Sequence, residues 1–283
     1  MQKIKTKKIS KFIDEAGDAN FFGKGGVNLI GKEGISKTFS LGMITIKTNE
    51  KSNNINTIRQ KIQNLAQKIE NSNYYNTVPS VKKRIQKYGT FVFHAKDDIP
   101  EIRKEFLDLL LEIPFTFQCV VARKIPNLFI KKHNKKESEF YADLLAHLLK
   151  DKVHKKLILH IARLKKSTNE VNLELAIHKA TTKYLKKNGD KELNRDIVYN
   201  VQDYAKEPIL SITDYCLWAV QRVFERGETR FYDYLIKKNL QIYDIYDFDS
   251  YSIKDENNKK IWKNHYNIKN PLTKENKISP SSS

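Results

Sequence analysis

The chain has 283 residues, enough for one large α/β domain with a core of its own. A content of 40% hydrophobic and 11% aromatic residues excludes a disordered polymer. The formal charge of +19 makes a polyanion, nucleic acid above all, the first partner to consider, although the many lysines, asparagines and isoleucines are also what AT-rich coding supplies.

In chain order, residues 8–14 form an expected first strand through Ile9, Phe12 and Ile13, ending in Asp14. A glycine-rich connection covers 19–37. Residues 38–48 form a second strand, antiparallel to the first. Ile55, Ile58, Ile62, Leu65 and Ile69 recur at helical spacing within 52–71. After a polar segment, Thr90–His94 forms a third strand. Helices are then expected at 99–112, 136–150, 168–186 and 207–226, alternating with strands at 115–123, 156–162 and 196–202. Residues 229–247 add a short helix and strand. This alternation implies an α/β fold, a mixed sheet with helices on its faces. The expected organisation is one domain over 1–247 and a C-terminal extension over 248–283, disordered from about 271, where the chain turns polar and ends in Ser-Pro-Ser-Ser-Ser.

Cys119 and Cys216 lie in apolar stretches and form no CxxC or Cys/His cluster, so two buried free thiols are expected rather than a disulfide or a zinc site. No apolar run is long enough to span a bilayer, and the basic N-terminus has no apolar segment after it. A cytoplasmic protein with no membrane partner is expected.

Two acidic stretches carry the chemistry. In Phe12-Ile13-Asp14-Glu15-Ala16-Gly17-Asp18 an apolar strand stops in carboxylates and a glycine. Neighbouring strand residues face opposite ways, so Asp14 is the one expected to enter the site, with Gly17 turning the chain away. The bland alternative is a turn decorated with acids. In the second stretch Asp214 interrupts an apolar helix. Asp214, Trp218, Gln221, Arg222 and Glu225 share a stripe, opposite Leu217, Val220 and Phe224. Here the alternative is ordinary ion pairing on a wetted face. Between them, His94 is a candidate base or orienting group, and Lys96 a candidate phosphate contact. Asp98, before Pro100 and Glu101, has the spacing of a helix cap. Gly26 to Glu33 nearly spells a phosphate-binding loop but ends in Glu33 where a hydroxyl would hold magnesium, which excludes it.

The FIDEAGD opening resembles the Y/F-I-D-E-S-G-D start of a large bacterial family catalogued as a domain of unknown function in the ribonuclease-H-like superfamily. The segments FHAKDDIPEIRKEF and VQDYAKEPILSITDYCLWAVQRVFERGETRFYDYL resemble that family's middle and C-terminal signatures, so the likeness covers about residues 8–240. It implies a ribonuclease-H-like mixed sheet with metal-binding carboxylates at Asp14 on the first strand and Asp214 on the last long helix. Two departures stand out. Position 16 is alanine where the family has serine, and the strands Phe115–Lys124 and Lys156–Arg163 end in basic residues where an acid would complete a two-metal site.

The expectation is therefore a magnesium- or manganese-dependent nuclease acting on RNA or DNA. Asp14, Asp214, Glu15 and His94 would be its catalytic groups. Asp14 and Asp214 would hold the metal, with Asp203 or Glu15 as a further ligand, and Lys96, Arg222 and Trp218 would meet substrate. The rival expectation is a non-catalytic module that binds nucleic acid or a protein partner through a degenerate site, in a defence or mobile-element system.

Overall fold

The computed structural model describes residues 9–47, 54–164, 168–190, 192–193, 195–246, 253–254, 260–261 and 264–279. The strands are β1 (Ile9–Gly17), β2 (Thr38–Ile46), β3 (Phe115–Arg123), β4 (Leu157–Ala162), β5 (Ile197–Gln202), β6 (Leu240–Asp244), β7 (Ile253–Lys254), β8 (Lys260–Ile261) and β9 (His265–Tyr266). The helices are α1 (Ile55–Glu70), α2 (Pro79–Tyr88), α3 (Pro100–Glu112), α4 (Pro126–His133), α5 (Glu137–Leu149), α6 (Glu170–Asn188), α7 (Leu210–Arg226) and α8 (Arg230–Leu235).

Seven strands form one mixed sheet in the order β5-β4-β1-β2-β3-β6-β9, while β7 and β8 pair separately. β1, β2 and β3 are a meander of antiparallel neighbours. β4 and β5 extend the sheet parallel to β1. β6 runs parallel to β3 on the other side, and β9 is antiparallel to β6. β1 is thus central, with helices on both faces. Phe12 joins a core shared with α1, α3, α7 and α8, and Ile13 joins the opposite core with α5 and α6. Both residues are fully buried, as a strand covered on both faces requires.

α7 lies close against the centre of the sheet. Gly42 of β2 makes this possible: a Cβ there would stand 2.7 Å from both Leu217 and Phe117. Gly42 is the cross-strand partner of Asp14, so the helix approaches closest beside the acidic end of β1. At that end Gly17 has φ +90°, and a side chain there would strike the Thr38 carbonyl oxygen at 2.4 Å. Glycine is required on both counts.

Several expectations change. Residues 90–94 are not a strand. Phe91, Val92 and Phe93 are all buried, and their backbone groups go elsewhere: Phe91 N–H to Glu70, Val92 C=O to Arg84 and Phe93 C=O to Ser211. With those groups already used, the segment has no ladder to join. Asp98 is not a helix cap. Ile99 occupies that position, and Asp98 is buried among Arg84, Tyr215 and the His94 amide. α2 and α4 were not anticipated. The stretch expected to be disordered from about 271 is folded as far as residue 279, because Leu272 is buried in the core and Ile278 N–H bonds to Phe224 C=O at 2.8 Å. Residues 280–283 lie outside the described residues, as do 1–8. β9 of the extension belongs to the main sheet.

Candidate active site

β1 delivers Asp14 to its C-terminal end, and α7 delivers Asp214 one turn before Leu217 settles on Gly42. The two carboxylates lie near enough there for the charge of one to act on the other, and they are 1% and 8% exposed respectively. Each is held by specific donors. Asp14 Oδ1 accepts the Glu15 amide at 2.8 Å, and its Oδ2 accepts the Tyr204 hydroxyl at 2.7 Å. Asp214 Oδ2 accepts the Ala95 amide at 2.7 Å. These bonds fix one lone pair on each oxygen concerned and leave the rest of the pair to face what lies between.

The electrostatics are those of acids crowded together in a dry place. Burial and then the charge on Asp214 push the Asp14 carboxyl up to about 7, against the bonds from Tyr204 and the Glu15 amide and the proximity of His94. Glu15 is also raised well above the carboxylate range, first by burial and next by Asp14, whose carboxyl is within hydrogen-bonding reach. Asp214 is raised by burial, with His94 opposing. Glu15 Oε2 is buried with no hydrogen-bond partner. Burial without a partner favours the protonated form of that carboxyl.

His94 stands at the mouth with its side chain 36% exposed, Nε2 lying 3.9 Å from Asp214 Oδ1 and Nδ1 3.6 Å from Asp97. Lys96, two residues on, is exposed. His94 is therefore beside Asp214, and Lys96 lies on the exposed side of the same loop.

Other expected members are engaged elsewhere. Asp203 is half-exposed and lies 3.6 Å from Arg163, the basic residue just beyond β4. Asp18, another acid of the opening motif, is bonded to Lys124 at 2.9 Å and to Ser36. The basic residues just beyond β3 and β4 therefore each hold a nearby acid. Arg222 is engaged by Glu228, not left free for phosphate, and Arg230 grips the same Glu228 at 2.5 Å. Arg226, on the same helix, is exposed. Trp218 is half-buried with the guanidinium groups of Arg103 and Arg222 over its ring at 4.6 and 5.4 Å. Glu225 is turned inward to the Lys37 and Thr38 amides at 2.9 and 2.8 Å.

Three groups around the acidic pair escaped the sequence. Tyr204 and the Ala95 amide orient the two aspartates. Glu207, 1% exposed, anchors the start of α7 through Arg59 at 2.5 Å, with His160 at 3.7 Å. Tyr204 and Glu207 flank the turn into α7, a position where a tyrosine and an acid among apolar residues were a usable signal. A backbone amide offers none.

Among the described residues no group of three or more His, Cys, Asp or Glu stands in place to bind a metal ion. Magnesium is commonly held by one or two carboxylates with water and substrate phosphate completing its shell, and Asp14 and Asp214 are the pair here that could hold one. No described helix is long and apolar enough to cross a membrane, and both cysteines are buried and free. Neither a protein-family model nor a curated protein matches the chain.

Proposed function

We propose that the protein is a metal-dependent nuclease that hydrolyses phosphodiester bonds of RNA or DNA, built on a ribonuclease-H-like version of its mixed sheet. The observation that carries this reading is the meeting of Asp14 and Asp214, from opposite ends of the sequence, in a buried acidic cluster with an orphaned Glu15 oxygen. Carboxylates buried near one another are stabilised in their charged form by a bound cation, which supports this reading.

Magnesium or manganese, when bound, would lower the pKa of a coordinated water and offset phosphate charge. Asp14 would hold it through a lone pair that the Tyr204 and Glu15-amide bonds leave, and Asp214 through Oδ1, which the Ala95 amide does not engage. Tyr204 and the Ala95 amide keep both carboxylates in one orientation. His94, at the mouth, is placed to accept or return a proton at the leaving oxygen. Lys96 meets the incoming backbone from the exposed side of the same loop. Glu15 remains inside as a proton-holding neighbour of Asp14. The test is cleavage of labelled RNA, DNA and hybrids with magnesium, manganese or EDTA. Asp14→Asn and Asp214→Asn should each lose on the order of a hundredfold or more in rate. Undiminished activity in both variants would remove the mechanism.

One observation favours a second reading, a binding module without turnover: the basic residues after β3 and β4 turn to Asp18 and Asp203 and add no third carboxylate. That reading predicts salt-sensitive nucleic-acid binding with no cleavage under any metal.

A further inference from the structure

β5 closes one side of the sheet, and no described strand other than β4 pairs with it. Its sequence, Ile197-Val198-Tyr199-Asn200-Val201-Gln202, has no charge and no proline. Exposed edges are ordinarily guarded by lysine, proline or a bulge, and a chain with 30% charged residues has ample means to do so. Instead Val198 stands 44% exposed. Charges resume on both sides, at Arg195 and Asp196 before the strand and at Asp203 after it.

The phase of the strand is fixed. The Leu157 amide bonds to the Asp196 carbonyl and the Arg163 amide to the Gln202 carbonyl, so even-numbered positions turn toward β4. Alternation then points the N–H and C=O groups of Ile197, Tyr199 and Val201 outward.

We propose that β5 is the interface of a homodimer, in which two copies pair their β5 strands antiparallel about a two-fold axis at Tyr199. The register argues for a second copy as the occupant. With the axis at Tyr199, that residue meets its own copy and Ile197 meets Val201, so outward groups face outward groups. Val198 is covered opposite Asn200. Arg195 falls opposite Asp203 at both ends, an ion pair made twice by symmetry. A one-residue slip sets outward groups against inward ones and puts Asp196 against Asp203. Axes at Val198 or Asn200 set Arg195 against Val201, or Asp203 against Ile197, and lose the charge match. An acidic peptide drawn by the net charge would find a cation at one end only, Arg195, with Asp196 beside it and Asp203 at the other end. The contact also tethers Asp203, the neighbour of Tyr204, but it stands independently of the nuclease reading.

The test is sedimentation equilibrium of the full chain at tens of micromolar. The expected mass is twice the 33.1 kDa of one copy. Arg195→Asp, at an exposed position, sets a carboxylate against Asp203 at both ends and should weaken the dimer at least about tenfold, while at a concentration low enough for both chains to be monomeric its circular dichroism melt matches the wild type's. The register is read separately: Val198→Cys combined with Asn200→Cys should oxidise to a covalent dimer, with both native cysteines buried. A wild-type chain that remains monomeric, or a dimer indifferent to Arg195→Asp and not crosslinked by the cysteine pair, overturns the proposal.

Discussion

Replacing Asp14 with asparagine should stabilise the metal-free protein, and increasingly so as pH rises. The Asp14 carboxyl is raised from 3.8 to about 7 in the folded chain, chiefly by burial and by the charge of Asp214. For an acid raised on folding, the stabilising contribution is complete below about pH 4, where both states are protonated. It is lost as pH climbs toward 7, and above 7 the folded state carries the whole cost of an ionised buried group. A shift of about three units corresponds to about 4 kcal/mol at most. Asparagine has one oxygen, which keeps the Glu15 amide, while its Nδ2 donates to the Tyr204 hydroxyl oxygen; the carboxylate's advantage in those two bonds is already contained in the raised value. The net gain expected is thus up to about 4 kcal/mol at pH 8, falling to zero near pH 4. Urea denaturation in EDTA, repeated from pH 4 to 8, measures it. An asparagine variant less stable than the wild type at pH 8, by a margin that does not change with pH, would refute the claim that these acids repel one another in a dry site.

Further outcomes follow from the same geometry. Gly42→Ala should cost about 1–3 kcal/mol and lower Tm, since its methyl group meets Leu217 and Phe117 at 2.7 Å. It should also impair catalysis by lifting α7 and Asp214 from β1, measurable as cleavage rate at a temperature where the variant is folded. Tyr204→Phe removes the hydroxyl that orients Asp14 and should weaken manganese binding by about tenfold, read by calorimetric titration. Asp143→Ala should cost about 2–4 kcal/mol in urea unfolding. That buried carboxylate ties Lys132, Lys183 and Tyr246 together at 2.7–2.8 Å, and the lysine ends, which reach water, recover part of the loss.

Much of the fold was legible because its elements are amphipathic or fully apolar at the right period. β1, β2, β3, β4 and β5 and the helices α1, α3, α5, α6 and α7 lie within a few residues of their expected spans. α2 escaped because its buried face holds only Val81 and Arg84 amid lysines, which gives little periodicity. Residues 90–94 misled because a run of phenylalanine and valine looks alike whether it is buried by strands or by side chains that take over its backbone bonds. Of the site, Asp14 and Asp214 were visible because a carboxylate in an apolar element is costly without a purpose. The fates of Arg222, Asp203 and Asp98 were not visible. Each depends on a partner that only the tertiary structure brings near, as Glu228, Arg163 and Arg84 show. Tyr204 and the Ala95 amide belong to the same class, in which long-range hydrogen bonds leave no periodic trace.

The most direct measurement is anomalous diffraction from crystals soaked in manganese. A peak is expected between the end of β1 and α7, about 2.0–2.3 Å from carboxylate oxygens of both Asp14 and Asp214, with water filling the remaining positions. No peak there at millimolar manganese, with both carboxylates keeping their Tyr204 and Ala95 bonds, would contradict it.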